Sequence, residues 1–335
     1  MKKAVLSTLF AQLLLGPLSL LAATNVLYPV VVDGRWGFVS SSGDLVINSQ
    51  FERAEVFAEG LAAVRVGKWG YVDVAGKMAI NPQFDSADVF SEGLAAVRLG
   101  GGVPKPFSGL GGGGRYGYIN RDGKYVVNPQ FDEAGAFAGG LAAVKLGGRW
   151  GFIGKTGNFV INPQFDEAAA FSDGLAAIKL GGRFGYADTS GKTAINPQFE
   201  RAQRFSEGLA GVRNDGRWGF VDKAGQLTIN PQFEDVGWFV KGLAPARQGK
   251  RWGYVDTKGN FVINPQFEEA APFSEGLAQV RDSGRWGYVD KSGKFAINPQ
   301  FDEAAPFANG LARVKMGGRT GYINATGKYV WNPSK

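Results

Sequence analysis

Carboxylates are the residues of this chain most able to do acid–base chemistry, because its 335 residues include no histidine and no cysteine. That composition removes the Ser–His and Cys–His nucleophile arrangements and the usual zinc ligand sets. Acids do occur in adjacent pairs such as Asp302-Glu303, and two carboxylates flanking a bond are what a glycosidase needs. The pairs recur along the whole chain, however, whereas a catalytic centre needs one pair in one place. The expectation is therefore no enzyme, with a carboxylate-pair hydrolase as the catalytic alternative. Gly191-Lys192-Thr193 resembles the end of a phosphate-binding loop, but Tyr186 stands where that loop's first glycine belongs. Asp73, Asp222, Asp256 and Asp290 invite a calcium reading. A hard cation wants six to eight oxygens, and no further acids cluster beside them. They read instead as turn initiators, so no metal and no cofactor is expected.

Charged and aromatic residues form ladders. A basic residue precedes a ring at Arg35, Lys68, Arg115, Arg149, Arg183, Arg217, Arg251 and Arg285, and recurs at Arg319. A second basic series follows Leu-Ala-x-x at Arg65, Arg98, Lys145, Lys179, Arg213, Arg247, Arg281 and Lys315. Acids follow Gln-Phe at Glu52, Asp85, Asp132, Asp166, Glu200, Glu234, Glu268 and Asp302. Ladders of opposite sign compensate one another. Basic residues interleaved with rings also suit an anionic polymer, and the rings alone suit sugar stacking.

The elements that must position these groups are set by an internal repeat, the first thing to seek in such a chain. Aromatic-Gly recurs at Trp36, Trp69, Tyr116, Trp150, Phe184, Trp218, Trp252 and Trp286, with Thr320-Gly321 as a ninth, degenerate copy. From Trp150 onward the period is 34 residues, and the second interval, 47, carries 13 extra. One copy, Gly284 to Lys315, reads GRWGYVDKSGKFAINPQFDEAAPFANGLARVK. This motif resembles the bacterial WG-repeat family (KWG, or WG β-repeat), from about Asn25 to the end of the chain. The resemblance implies a family and no shared activity.

Each unit predicts three short antiparallel strands. In the eighth these are Leu277 to Asp282, Arg285 to Asp290 and Lys294 to Asn298. Ser283-Gly284 suits a two-residue hairpin turn with positive φ, and Lys291-Ser292-Gly293 suits a three-residue turn with a G1 bulge. Asn298-Pro299 is expected to end the third strand. Val280, Val289, Phe295 and Ile297 are assigned to one face, and Arg281, Trp286, Tyr288 and Ala296 to the other. A lone three-stranded sheet is marginal, so units must lean on their neighbours. The expected fold is all-β, a tandem array of nine three-stranded meanders forming an open β-solenoid or superhelix, with a closed β-propeller as the alternative. The openness rests on the ends: the first and last units both look whole, Pro29 interrupts the first strand, and Thr320 replaces a ring where no further unit need cover it.

Departures from the repeat mark candidate binding positions. The residue before the recurring Phe varies, and Arg204 and Trp238 fill it in adjacent units, a composition common in interface hot spots. A Gly/Pro-rich insertion at 100–114 replaces a hairpin tip and carries Lys105 and Phe107 as candidate contacts.

Residues 1–23 read as a Sec-type signal peptide: Lys2-Lys3, an apolar run from Ala4 to Leu21, then Ala22-Ala23. The mature domain, 24–335, is then periplasmic or secreted in a bacterium, with no membrane span after cleavage. Net charge falls from +7 to +5 when Lys2 and Lys3 are removed, too mild to call for nucleic acid. Without cysteine, stability must come from packing. The functional expectation is a non-catalytic exported scaffold for a protein partner. The alternative is binding of an envelope or cell-wall polysaccharide or another anionic polymer.

Overall fold

The computed structural model describes residues 26–100 and 114–334. It is all-β. Among the described residues nine antiparallel sheets follow one another, the first of three strands and the other eight of four. They form nine blades of a closed β-propeller, and the open array expected from the chain ends is corrected.

The eighth blade shows how the repeat folds. Its second and third strands, Ala278–Asp282 and Arg285–Val289, pair as a tight hairpin with Arg281 opposite Trp286. Ser283 and Gly284 at the tip have φ of 50° and 76°, as a type I′ turn demands. Gly293 has φ 84° and donates to the Asp290 carbonyl, closing the predicted three-residue turn. Asp290 Oδ1 accepts the backbone N–H groups of Ser292 and Lys294 at 2.8 and 3.2 Å, which is why an acid starts this turn.

Two expectations about the unit are corrected. The last strand runs through Asn298-Pro299 to Phe301, because Pro299 lies in a bulge that needs no ladder donor. Trp286 pairs with Phe301 and Tyr288 with Ile297, so three residues of this strand oppose one. A second irregularity, at Ala296 between the pairs Tyr288–Ile297 and Val289–Phe295, puts Ile297 on the face of Tyr288 and Trp286, opposite the face assigned to it. The bulge at Pro299 explains the glycine after each ring. A Cβ on Gly287 would stand 2.6 Å from the Ile297 carbonyl oxygen and 2.7 Å from Pro299 N. The second correction is a fourth strand of two residues. Glu303–Ala304 pairs with Lys315 and Val314 and opens the ninth blade. Two residues are too few to show alternation.

Blades cohere through their faces. Tyr288, Ile297 and Phe301 of the eighth blade pack against Phe307, Ala312, Val314 and Ile323 of the ninth. Tyr288 and Phe307 meet edge-on at 4.8 Å between centroids. The Tyr288 hydroxyl donates to the Ala305 carbonyl at 2.8 Å. This pattern of a fully buried ring, a Phe against it and a hydroxyl bond across the junction repeats at Tyr71, Tyr118, Tyr186 and Tyr254.

Nine such clusters occur among the described residues, each joining two blades, and an open row of nine blades would supply only eight. The ninth joins the ends: Tyr28, Val30 and Val39 against Leu311 and Tyr322. Tyr28 donates to the Asn309 carbonyl at 2.5 Å, and Tyr322 to the Pro29 carbonyl at 2.9 Å. Their rings lie 5.4 Å apart. The ends are therefore an interface, and Pro29 and Thr320 are not caps. Pro29 sits within the strand Tyr28–Val32 and presents its carbonyl across the junction. Among the described residues no sheet combines strands from both ends, and the ring closes by packing of the ninth blade against the first.

Candidate functional site

The ladders prove mostly cohesive. Five third-strand cations reach the acid that opens the following blade: Lys68 to Asp85, Arg115 to Asp132, Arg149 to Asp166, Arg217 to Glu234 and Arg285 to Asp302. The same acids accept backbone N–H groups from hairpin tips, Gly147 to Asp132 at 2.9 Å and Gly249 to Glu234 at 3.0 Å. Second-strand cations pair with the adjoining short strand, Lys145 to Glu133 at 2.8 Å and Lys179 to Glu167 at 2.7 Å. These pairs are exposed, so each contributes at most about 1 kcal/mol. Their larger effect is to cancel the basic potential along the ring.

The rings of the aromatic-Gly ladder are half-buried and pack against the core clusters, as Trp69, Trp150 and Trp286 do. Cations lie over several of them, Lys179 at 5.2 Å from the Phe184 centroid and Arg247 at 5.9 Å from that of Trp252. A second clasp went unnoticed in the sequence. Glu207 sits at φ 53°, and its carboxylate accepts Lys241 N and Gly242 N of the next blade at 2.5 and 2.8 Å. Glu275 does the same for Asn309 and Gly310 at 2.6 and 2.8 Å. A Glu at positive φ is unusual, and its recurrence before Gly-Leu was the available signal.

Against this periodic background the Arg204–Trp238 pair stands out. The two residues occupy equivalent places in the sixth and seventh blades, just after the short strands Arg201–Ala202 and Asp235–Val236. The Arg204 guanidinium lies 4.3 Å from the Trp238 ring centroid, the shortest cation–π distance among the described residues. Arg204 is exposed and Trp238 half-buried. The segment below is held firmly, since Gln203 Nε2 donates to the Val236 carbonyl at 2.8 Å and Ser206 Oγ to that of Phe239 at 2.7 Å. Beside these short strands opens a cavity of about 650 Å³ whose lining includes Arg201, Arg213, Glu234, Asp235, Arg247, Phe184 and Trp218. The sequence placed Arg204 beside Trp238, and the structure brings them into contact. Lys105 and Phe107 lie outside the described residues, as does the signal peptide. The strands flanking the insertion keep the ordinary register, with Leu99 opposite Arg115.

The repeat itself decides the kinship. A model of the WG-containing repeat matches residues 36–68, 69–102, 116–150, 150–184, 184–218, 218–252, 252–286 and 286–319. The chain belongs to the WG-repeat family. Each WG unit starts at the ring and so holds the last two strands of one blade and the first two of the next, half a blade out of step with the sheets. No curated protein matches the WG-repeat chain. Among solved structures, a eukaryotic initiation factor is similar over 91% of this chain and 95% of its own, with 12% identity and a TM-score of 0.63. Hsv2p of Kluyveromyces lactis is similar over 71% of this chain and 92% of its own, with 8% identity and a TM-score of 0.43. The first likeness speaks for the fold alone. Among the described residues no helix is long and apolar enough to cross a membrane.

Proposed function

We propose that this WG-repeat propeller is a non-catalytic scaffold, exported by its leader, that holds a protein partner on the surface around Arg204 and Trp238. The observation that carries the reading is the stacked pair itself. It departs from an otherwise periodic surface, joins two blades, and rests on segments locked by interblade hydrogen bonds. Arg and Trp on a rigid base lose little conformational freedom on binding, which is why they dominate interface energetics. The cavity at the adjoining short strands, which Arg204 and Trp238 do not themselves line, mixes charges of both signs with Phe184 and Trp218, a composition suited to a polypeptide. The polymer reading is weaker, because the cations of both ladders are largely neutralised by acids of the protein itself.

The test is affinity capture on the immobilised full chain, compared with Arg204→Ala, Trp238→Ala and a control, Arg149→Ala. A partner retained by the wild type and the control should be lost from both site variants, each keeping the wild-type melting temperature. Retention by both site variants overturns the assignment. Export is checked separately by the mass of the protein recovered from the cell envelope, where an uncleaved leader would contradict it.

A further inference from the structure

The short strand that opens a blade lies beside the second strand, and its first residue faces the cation of the Leu-Ala series. In the fourth, fifth, eighth and ninth blades that residue is a Glu, and the two make an ion pair. Glu133 meets Lys145, Glu167 meets Lys179, Glu269 meets Arg281 and Glu303 meets Lys315, at 2.8, 2.7, 2.8 and 2.8 Å. In the seventh, Asp235 faces Arg247. The sixth blade breaks the rule. There Arg201 faces Arg213, and like charges directly opposite on paired strands repel.

The eighth blade shows what Arg213 lacks. Arg281 Nε lies 3.8 Å from Glu268, and its Nη1 donates to Glu269 at 2.8 Å. Arg213 Nε lies at the same 3.8 Å from Glu200, but Arg201 stands where Glu269 would be. Among the described residues the Arg213 guanidinium makes no hydrogen bond, and the exposed Arg201 side chain has neither a hydrogen bond nor an ion pair. Arg53 faces Arg65 in the second blade, yet Arg65 is occupied: its Nε donates to the Gly67 carbonyl at 3.2 Å and lies 3.4 Å from Glu52.

Arg201 and Arg213 both open into the cavity of about 650 Å³ beside the short strands. Its acids are already engaged. Glu167 pairs with Lys179, Glu234 pairs with Arg217 and accepts the Gly249 N–H, and Asp235 faces Arg247. The two arginines are therefore surplus cations. A local rule broken without a compensating contact inside the protein is the mark of a site kept for a ligand.

We infer that this cavity is an anion site for an acidic peptide segment. One carboxylate of the segment bridges Arg201 and Arg213, standing to Arg213 as Glu269 stands to Arg281. An apolar side chain next to it lies against Phe184 and Trp218. Glu167 and Asp235 in the lining repel a polymer charged at every unit and admit a peptide whose charge sits in one place. The inference gives the partner of Arg204 and Trp238 its chemistry, and rests on that reading only in assigning both surfaces to one polypeptide.

The probe is the fluorescein-labelled peptide Gly-Glu-Phe-Glu-Gly, titrated by anisotropy onto the full 335-residue protein, with Gly-Gln-Phe-Gln-Gly as its neutral counterpart. Saturable binding is expected, about tenfold tighter for the Glu peptide, with a preference that shrinks as salt is raised. Arg201→Glu restores the acid of the fifth and eighth blades. It should abolish the preference while leaving the melting temperature unchanged or higher, a combination that damage to the fold does not produce. Arg213→Gln should abolish the preference too. The titration reads the cavity, and capture by the Arg204 and Trp238 variants reads the other surface, so either reading can fail while the other stands. Absence of saturable binding, equal binding of the two peptides, or a preference that survives Arg201→Glu overturns the inference. Polyphosphate binding more tightly than the Glu peptide also overturns it, since the occupant would then be an anionic polymer.

Discussion

Alanine at Gly43 should destabilise the protein far more than alanine at Gly34, and the difference measures whether the ring is closed in solution. Both glycines are in the first blade, and both have positive φ, 91° and 75°. An L residue held in that region costs about 1–2 kcal/mol, so this term is shared by the two variants. Around Gly34 a Cβ would meet nothing within 4 Å, and the backbone term is the whole cost. At Gly43 the Cβ would stand far inside van der Waals contact with the Val330 carbonyl oxygen, and 3.1 Å from the carbonyl carbon. Val330 belongs to the last blade, and its backbone cannot turn aside as a side-chain tip can. One strand must retreat by about 1 Å, and overpacking of this kind adds about 1–3 kcal/mol. The retreat also loosens the cluster of Tyr28, Val30, Val39, Leu311 and Tyr322. Gly43→Ala should therefore cost about 3–4 kcal/mol against about 1 for Gly34→Ala. Parallel urea titrations followed by tryptophan fluorescence give both values, and small-angle scattering reports any opening. Equal costs, to within about 0.5 kcal/mol, would falsify the closed ring.

Gly287→Ala should cost about 2–3 kcal/mol from the clash with the bulge alone, read as a fall in melting temperature. Replacing residues 100–114 with Gly-Gly should leave the melting temperature within a few degrees, because Leu99 and Arg115 already pair as Leu146 and Arg149 do around an ordinary tip. Alkali should unfold the protein cooperatively. Burial pushes the hydroxyls of Tyr186, Tyr254 and Tyr288 up, and that of Tyr322 up to about 12. An acid whose folded pKa is raised lends its full stability below its unfolded value near 10 and loses it as the pH climbs towards the folded one. Tyrosinate absorbance at 295 nm should therefore rise late and together with loss of the β-sheet signal. A gradual rise centred near pH 10 on an intact fold would refute it.

Much of this protein was legible in the amino-acid order. The hairpin with Arg281 opposite Trp286 and the Asp290 turn follow from local rules, because hairpin turns fix register over a few residues, and the adjacency of Arg204 and Trp238 follows from the period, which sets equivalent places of successive units side by side. The position of Ile297 was not, since a bulge shifts register without any change in the alternation of residue types. The two-residue strand Glu303–Ala304 was too short to carry a period.

Closure was beyond local reading for a further reason. It depends on the small rotation from each blade to the next, summed over nine of them. Tyr28 and Tyr322 look like ordinary members of end units, and only the completed ring sets them 5.4 Å apart. Sequence alone determined the repeating unit and its central hairpin; the bulges, the short strand and the arc traced by successive units were decided by the tertiary structure, because they set which surfaces meet.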